Sequence, residues 1–382
     1  MTVFYYTNLS FPDGAMASGN RVMHLAKCLV TKGMKVVVMS AFSDSGRIEA
    51  FTRDGIEFRS FCRARKGLAR HFALCVTFPV KAWLYLLKEH RKGDILYSYT
   101  GNLIQRIWAG VFAGFMRMPM YYEGCEYPYT IIAGWPKPLQ WLDVWLIRKC
   151  VSGVVAITPA LADYYRKITK SGTKVITVPM TVDVDRFAGN PPVPGNFDFP
   201  YIAYTGVMSR TGGGVDVLVD AFVALAPEYP DLHLVLIGKG SPELRRQYEY
   251  KIGAGRIHCL FSGKVPVSEM PRYICNAKIL AMLPLPTKQQ EGCFPTKLGE
   301  YLSSAVPTVV SRVGIPAEIL TDGENVRFVP PNDPKATADV FRDILSNYGQ
   351  AKEVAARGKD FARKNFHFEN FADRLYSWYL TV

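Results

Sequence analysis

The chain has 382 residues, of which 49% are apolar and 21% charged, a balance that predicts two packed domains and excludes a disordered or low-complexity protein. The formal net charge of +13 is uneven, because residues 1–190 hold 25 Lys or Arg against 13 Asp or Glu and the remainder 21 against 20. No signal peptide is recognisable at the N-terminus, and the eight cysteines lack a Cys-x-x-Cys pair. We therefore expect an intracellular protein without a disulfide framework or a zinc site.

The first half alternates short apolar runs with helical patterns. Residues 3–7 and 35–39 are predicted strands, and residues 20–32 between them carry apolar side chains at helical spacing, so the three segments form a βαβ unit. Further strands are predicted at residues 94–98, 120–123, 153–157 and 174–178. Such nearly continuous apolar strands are typical of a parallel sheet that is covered on both faces.

The densest Pro/Gly segment, residues 190–200, predicts a domain boundary. The alternation then restarts with predicted strands at residues 201–205, 233–237, 256–261, 279–283, 307–311 and 326–329, and the chain is predicted to be helical after Pro334. We expect a first domain over 1–190, a linker over 191–200, a second domain over 201–365, and a C-terminal helix, 366–382, that packs back on the first domain. Ligands of doubly wound sheets bind at the carboxyl ends of the strands.

Residues 290–310 combine an anion-binding helix start with acidic and basic side chains. The segment follows an apolar strand and opens a helix with Pro295 and Thr296 in its first turn. The free N–H groups of a helix start suit a diphosphate, and Lys297 adds a cation in the same turn. The residues alone therefore predict an anion site.

The same segment resembles the signature of the family 4 retaining glycosyltransferases, in which two glutamates flank a Gly-containing loop before a helix. Segments 182–187, 205–206, 214–222, 237–240, 263–266 and 313–318 follow in the order of that family, so the resemblance covers nearly the whole chain. It implies two Rossmann-like, doubly wound α/β lobes that face each other across a cleft, the GT-B architecture. It also implies a nucleotide-sugar substrate, no cofactor and no metal.

The resemblance implies roles for residues of the second lobe. Glu300 takes the place of the ribose-binding glutamate, and Glu291 that of the glutamate near the transferred sugar. Eight residues separate them where the family has seven, so either the loop bulges by one residue or Glu291 has lost the role. Further donor contacts are predicted at Gly206, Lys264, Val265, Gly292, Cys293, Phe294, Thr296 and Leu298.

The cationic clamp of the family is replaced in this chain. Val207 and Gly213 stand where family members carry an Arg and a Lys. We expect Arg210, Lys297 or both to supply the missing charge, because a diphosphate leaving group needs cationic stabilisation.

In the first lobe, residues 12–20 resemble the acceptor-side glycine loop of the family, with Gly19 and Asn20 as the predicted contacts. Family members often place a His after a middle strand, whereas this chain offers Glu123 and Glu126. We predict that one of these carboxylates faces the cleft in place of the imidazole.

Two patterns have simpler interpretations as well. Asp183 and Asp185 form an Asp-x-Asp, yet they lie in a predicted turn before the linker, so no metal site is predicted. The segment Arg59–Lys92 carries nine basic residues and one acid around an apolar stretch that is too short and interrupted to span a membrane. It is either a solvated face or, as we predict, a contact with an anionic membrane surface; no nucleic-acid-binding motif accompanies the charge.

The sequence therefore predicts a metal-independent retaining glycosyltransferase at the cytoplasmic face of a membrane. Its donor is a nucleotide diphosphate sugar, with UDP favoured over GDP, and its acceptor a hydroxyl of a lipid-linked or membrane-associated glycan. The altered glutamate spacing and the missing clamp leave open a catalytically inactive subunit that binds a glycan or a partner. A nucleotide-sugar epimerase is a third interpretation.

Overall fold

The computed structural model describes residues 1–11, 17–63, 66–128, 131, 133–189, 193, 197–208, 213–253, 256–261, 265–287 and 294–381. These residues divide into two compact units. Unit 1 holds the described parts of Met1–Thr181 and Phe368–Val382, together with Phe294. Unit 2 holds the described parts of Val182–Glu291 and Pro295–His367. Each unit contains one sheet.

The sheet of unit 1 has eight strands in the order β3-β4-β2-β1-β5-β6-β7-β8. All neighbours are parallel except β3 and β4, which pair antiparallel. The strands are β1 (Thr2–Phe11), β2 (Lys35–Ser43), β3 (Ala50–Arg53), β4 (Ile56–Ser60), β5 (Ile95–Tyr99), β6 (Met120–Gly124), β7 (Val151–Ala156) and β8 (Lys174–Thr177).

The sheet of unit 2 has six parallel strands in the order β11-β10-β9-β12-β13-β14. This is the Rossmann strand order. The order in which the strands follow one another reverses between β9 and β12, and sheets of this kind bind their ligands at that reversal. The strands are β9 (Tyr201–Thr205), β10 (His233–Gly238), β11 (Ile257–Phe261), β12 (Ile279–Met282), β13 (Thr308–Ser311) and β14 (Arg327–Val329).

Helices connect the strands in both units. Unit 1 contains α1 (Ala17–Val30), α2 (Gly67–Phe72), a π-helical turn (Ala73–Thr77), α3 (Phe78–Glu89), α4 (Leu103–Met116), α5 (Lys137–Cys150) and α6 (Pro159–Ile168). Unit 2 contains a 3-10 helix (Val184–Phe187), α7 (Val215–Leu225), α8 (Pro242–Ile252), a 3-10 helix (Val267–Glu269), α9 (Met270–Cys275), α10 (Thr296–Ser303), α11 (Ile315–Ile319), α12 (Pro334–Ser346) and α13 (Tyr348–Phe366). A last 3-10 helix (Phe368–Phe371) and α14 (Ala372–Leu380) return to unit 1.

The two faces of the sheet in unit 1 are covered by different helices. Right-handed connections from β5 through β6 to β7 set α4 and α5 on one face, and α3 packs against α4 there. The connection from β1 to β2 runs in the opposite direction, so α1 lies on the other face, where it packs with α14. The aliphatic side chains of β2 are buried between these layers.

The predicted α/β class with two Rossmann-like sheets is confirmed. The first predicted βαβ unit corresponds to β1, α1 and β2, and the C-terminal region is helical as predicted. Strands β3 and β4 were not predicted, because their short, partly polar runs carry little periodicity. The six cysteines whose side chains the structure describes are free thiols.

Candidate functional site

The strongest cluster of predicted residues lies in unit 2, where β9 ends and α10 begins. Pro295 occupies the N-cap of α10, and its side chain has no oxygen that could accept from the first backbone N–H groups. Leu298 N–H donates to the Pro295 carbonyl at 3.1 Å, so the first turn is tight. The prediction of a helix start at this position is confirmed.

Lys297 lies against the end of β9. Its Nζ is 3.9 Å from the centroid of the Tyr204 ring, within cation–π distance. Gly206 has a φ of +133°, and a Cβ built there would lie 2.8 Å from the ammonium. Because glycine lacks that atom, the cation fits at the carboxyl end of β9, next to the point where the strand order reverses.

The surroundings of Lys297 make its charge responsive to pH. Desolvation lowers the pKa of Lys297 from 10.5 to about 7, and the nearby carboxylate of Glu300 opposes this shift. No ion pair of Lys297 occurs among the residues that the structure describes. A bound diphosphate would supply the counter-charge that this ammonium lacks.

Glu300 follows on the same helix, one turn later. Burial raises the pKa of Glu300, whereas the positive charges of Arg186 and Lys297 act to lower it. Arg186 belongs to the 3-10 helix Val184–Phe187, which packs against α10. The carboxylate of Glu300 therefore lies in a partly dehydrated place between two cations, where it can accept hydrogen bonds from a vicinal diol.

Tyr301, which the sequence analysis did not single out, attaches α10 to β9. Its hydroxyl accepts from Thr205 N–H at 2.7 Å and lies 3.2 Å from Thr205 Oγ1. This contact connects residues 96 positions apart and sets the distance between the helix and Gly206. The only sequence signal was the position of this tyrosine directly after Glu300.

The helix after β9 also starts close to the point where the strand order reverses. Gly214, the N-cap of α7, has a φ of +65°, and a Cβ built there would lie 1.6 Å from the Leu283 carbonyl oxygen at the end of β12. Any other residue would push α7 away from β12. The resemblance identified this glycine only as part of a longer motif.

Other predicted donor contacts divide into two groups. Phe294 and Leu298 are buried, so the Leu298 side chain belongs to the core, whereas Thr296 and Val265 are half-buried. The predictions for Lys264, Arg210, Glu291, Gly292 and Cys293 lie outside the described residues.

In unit 1, Glu123 forms a buried ion pair with Arg21. Its Oε1 accepts from Arg21 Nη2 at 3.1 Å and from Arg21 Nε at 3.2 Å, while Oε2 accepts from the Tyr97 hydroxyl. The Cys125 thiol also donates to Oε1, at 3.2 Å. Since both carboxylate oxygens are occupied by protein groups, Glu123 holds the end of β6 to α1. The sequence did not indicate Arg21 as its partner.

Glu126 differs from Glu123 in exposure. Its side chain is exposed, yet local desolvation raises the pKa of its carboxyl group. The backbone is held by the Tyr165 hydroxyl, which donates to the Glu126 carbonyl oxygen at 2.8 Å. Of the two predicted carboxylates, Glu126 is the one with oxygens available to a ligand. Gly19 and Asn20 lie in the first turn of α1.

One group of side chains has the composition of a metal site. The ligand atoms of Asp183, Asp185 and His367 lie within 4.8 Å of one another. Asp185 pairs with Arg363 at 2.8 Å, and His367 Nδ1 accepts from Val184 N–H at 3.4 Å. A guanidinium already bound to one carboxylate disfavours a metal cation there. That the protein uses no metal stays a prediction.

Tyr204→Leu is expected to weaken nucleoside diphosphate binding about 3- to 10-fold, because a partly desolvated cation–π contact contributes about 0.5–2 kcal/mol. Tyr204→Phe keeps the ring and is expected to bind as the wild type does, although it loses the hydroxyl bond to the Val207 carbonyl. Isothermal titration with UDP and GDP between pH 6 and pH 8 measures both effects. Equal losses in the two variants would contradict a role of the ring.

Comparison with known proteins points to one class. Residues 199–347 match the family model described as "Glycosyl transferases group 1". A phosphatidyl-myo-inositol mannosyltransferase of Mycobacterium tuberculosis is 25% identical over 375 residues, covering 94% of this chain and 89% of the relative. A GDP-mannose-dependent alpha-(1-6)-phosphatidylinositol monomannoside mannosyltransferase of Mycolicibacterium smegmatis is 26% identical over 212 residues, 52% of this chain, and the match spans about half of that relative, 54%.

The solved structures agree on the fold. The Anabaena protein HepE in complex with UDP-glucose superimposes with a TM-score of 0.74 at 13% identity, covering 100% of both chains. The chain thus has the fold of the two-lobed GT-B glycosyltransferases. The family model and the mannosyltransferase relatives are similar to this chain in the way that the resemblance to the family 4 glycosyltransferases implies.

Proposed function

We propose that the protein is a retaining glycosyltransferase that transfers a sugar from a nucleoside diphosphate sugar to a hydroxyl of a lipid-linked or membrane-associated glycan. The arrangement of Lys297 and Glu300 on one helix, with the ammonium beside Gly206, is the observation that carries this proposal. It offers a cation for a diphosphate and a carboxylate for a ribose diol, one helical turn apart.

The proposed chemistry needs charge stabilisation more than a protein nucleophile. As the bond between the sugar and the diphosphate breaks, negative charge develops on the leaving phosphate, and protonated Lys297 stabilises it together with backbone N–H groups. In the family mechanism the leaving phosphate accepts the proton of the acceptor hydroxyl on the same face of the sugar. The configuration is then retained without a covalent carboxylate intermediate or a metal.

The donor is tested by binding. Equilibrium dialysis with UDP-, GDP- and ADP-sugars is expected to show binding of at least one class. GDP-sugars are included beside UDP-sugars because one relative is named as GDP-mannose-dependent. Hydrolysis or transfer of the bound sugar with retention would support the enzyme over an inactive binding subunit. If no nucleotide sugar binds, the proposal fails.

The lipid-linked acceptor and the cytoplasmic membrane face are supported by the surface of unit 1. Helix α2 has no buried side chain; it exposes Leu68 by 88% and Phe72 by 63%, with Arg70 and His71 between them. The apolar side chains that follow in the same segment and are also exposed are Val76, Val80, Leu84 and Leu87. Apolar side chains beside basic ones are typical of a helix that lies in a membrane interface. Two relatives are named for phosphatidylinositol-based acceptors.

A second helix of unit 1 also exposes large apolar side chains. Trp141 and Trp145, four residues apart on α5, are 82% and 52% exposed, and Lys137 and Arg148 lie at the ends of the same helix. Tryptophan and basic side chains prefer the boundary between lipid headgroups and acyl chains. Among the residues that the structure describes, no helix is both long and apolar enough to cross a membrane.

Sedimentation with anionic liposomes tests the membrane surface. Replacing Leu68 and Phe72 by serine is expected to lower the bound fraction and to weaken affinity about 10-fold or more, because each apolar side chain contributes about 1.5–3 kcal/mol when buried. Charge reversal at Arg63, Arg65 and Lys66 is expected to weaken liposome binding further. This additional loss is expected to shrink as the salt concentration rises. Leu380→Ser, an equally apolar and exposed position on α14, is the matched control. Binding that no substitution on α2 alters would contradict the proposal.

A further inference from the structure

A cavity in unit 1 is lined by two arginines. It has a volume of about 480 Å³, and its lining includes Arg47, Ile48 and Arg63. Arg47 follows β2 and Arg63 follows β4, and these two strands are parallel neighbours. Both arginines therefore lie at the carboxyl-terminal edge of the sheet, the edge at which doubly wound sheets bind their ligands.

The backbone that carries Arg47 is held by hydrogen bonds from both strands. Its carbonyl oxygen accepts from Ser43 Oγ at 2.7 Å, at the end of β2, and from Ser60 Oγ at 3.0 Å, at the end of β4. Its N–H donates to Ser45 Oγ at 3.3 Å. The loop between β2 and β3 thus presents Arg47 from a defined position.

The backbone before Arg63 is held in a similar way. Phe61 N–H donates to the Ser40 carbonyl at 3.2 Å and Cys62 N–H donates to the Ala41 carbonyl at 2.8 Å, so pairing with β2 continues beyond β4. Cys62 is buried, and Arg63 is the next residue. Two arginines that follow adjacent strands, each on an anchored backbone, can bind one anion from two sides.

The charges around the cavity favour an anion. Neither the Arg47 nor the Arg63 guanidinium forms an ion pair with another described residue. Arg70 adds a third cation, with its guanidinium 4.7 Å over the ring of Phe42 near the end of β2. Two acids, Asp44 and Glu49, lie in the same loop as Arg47, and Glu49 accepts from Ser45 Oγ at 2.9 Å.

An apolar surface adjoins these cations. Ile48, in the cavity lining, is 51% exposed, and the contact of Arg70 with Phe42 brings α2, with exposed Leu68, next to β2. A ligand that combines an anionic group with an acyl or prenyl chain matches both properties. Guanidinium groups suit phosphate because their paired N–H donors match the spacing of its oxygens.

We propose that the Arg47–Arg63 cavity binds the phosphate group of a lipid, and, given the proposed function, that this phosphate belongs to the lipid-linked acceptor. The two guanidiniums hold the phosphate at the edge of the sheet, while the lipid chain lies along α2. The cavity thereby selects lipids whose phosphate group carries a net negative charge over neutral or zwitterionic ones.

The test uses the full chain and dihexanoyl phosphatidic acid below its micelle concentration, with binding measured by titration calorimetry. Wild type is expected to bind this lipid, Arg47→Gln and Arg63→Gln each about 5- to 10-fold more weakly, and the double variant about 30-fold or more. Arg374→Gln, an exposed arginine on α14 of the same unit, is the matched control and is expected to bind as the wild type does.

Three further ligands decide between sources of phosphate. Dihexanoyl phosphatidylcholine, glycerol 3-phosphate and inorganic phosphate are expected to bind at least about 10-fold more weakly than dihexanoyl phosphatidic acid. Inorganic phosphate that binds as tightly as the lipid would overturn the lipid assignment. A double variant that binds phosphatidic acid as the wild type does would overturn the site itself.

A parallel titration with UDP and GDP distinguishes a failure of the lipid phosphate site from a failure of the proposed function. The double variant is expected to retain wild-type nucleotide affinity, since both arginines belong to unit 1, whereas Tyr204, Lys297 and Glu300 belong to unit 2. Arginine-dependent lipid binding without any nucleotide binding would overturn the proposed function and support the cavity as a lipid phosphate site.

Discussion

Lys297→Met is expected to lower the rate of sugar transfer about 100- to 1000-fold, the usual cost of removing one group that stabilises a developing negative charge. The side chain is already held beside Gly206 and over the Tyr204 ring, so the ammonium needs no rearrangement to meet a diphosphate. The loss is expected mainly in the transfer rate, because the charge on the phosphate grows as the bond to the sugar breaks. Single-turnover kinetics with the preferred nucleotide sugar measure it.

The pH dependence identifies the group responsible. Lys297, with a pKa of about 7 in the ligand-free protein, is charged below this pH, so affinity for a nucleoside diphosphate is expected to fall as the pH rises through 7. Lys297→Arg stays protonated and is expected to remove this decline. A decline that persists in Lys297→Arg would assign it to another group.

The stability of the ligand-free Lys297→Met variant is the control against a purely structural role of Lys297. The pKa of Lys297 is lowered on folding, so between about 7 and 10.5 the unfolded chain binds more protons, and the free energy of unfolding rises with pH through this group. Removing the desolvated amine in Lys297→Met is therefore expected to raise the melting temperature of the ligand-free protein while it lowers the rate of transfer. Lys335→Met, at an exposed position of α12, is expected to change neither property.

Glu300→Gln is expected to weaken binding of UDP or GDP about 10- to 100-fold, because a carboxylate that accepts two hydroxyl donors contributes about 1.5–3 kcal/mol for each charge-assisted hydrogen bond. The neutral amide keeps the shape but accepts through one oxygen only. Inorganic pyrophosphate, which lacks the ribose, is expected to bind the wild type and Glu300→Gln equally well. Competition titration against a fluorescent nucleotide gives the two affinities.

The ratio of the affinity for UDP or GDP to the affinity for pyrophosphate distinguishes loss of the ribose contact from general damage to α10. Burial raises the pKa of Glu300, so the charged form costs stability at neutral pH, and this cost disappears as the pH falls and the group is protonated. Glu300→Gln is thus expected to fold at least as stably as the wild type at pH 7. Glu353→Gln, an exposed position on α13, is the control. Equal losses for UDP and pyrophosphate would contradict the ribose assignment.

Hydrophobic periodicity was sufficient to predict the class of fold. Apolar strands such as β2 and β9 are buried on both faces, and this burial is what makes their sequences continuous runs of valine, isoleucine and aromatic residues. The hairpin of β3 and β4 was missed because β3 is the edge strand, where fewer apolar side chains are required, and β4 beside it is short and partly polar.

The residues of the candidate site were likewise predicted only in part. Pro295, Lys297 and Glu300 are close in sequence on one helix, so their relation follows from helical geometry and could be predicted. Tyr204 and Tyr301 could not be assigned, because the contacts of Lys297 with the Tyr204 ring and of Tyr301 with Thr205 join segments more than 90 residues apart. Glu123 was predicted as a ligand contact, and only the structure showed both of its oxygens bound to protein groups.

The sequence by itself determined two Rossmann-like sheets, a basic first half, and a helix start at residues 295–300 with a cation and a carboxylate one turn apart. These are local or summed properties, so they need no knowledge of which segments meet. Only the tertiary structure decided that Lys297 lies over Tyr204, that Leu68 and Phe72 are exposed, and that Arg47 and Arg63 line one cavity. Desolvation, exposure and anion binding depend on neighbours brought together by folding, and no spacing along the chain encodes them directly.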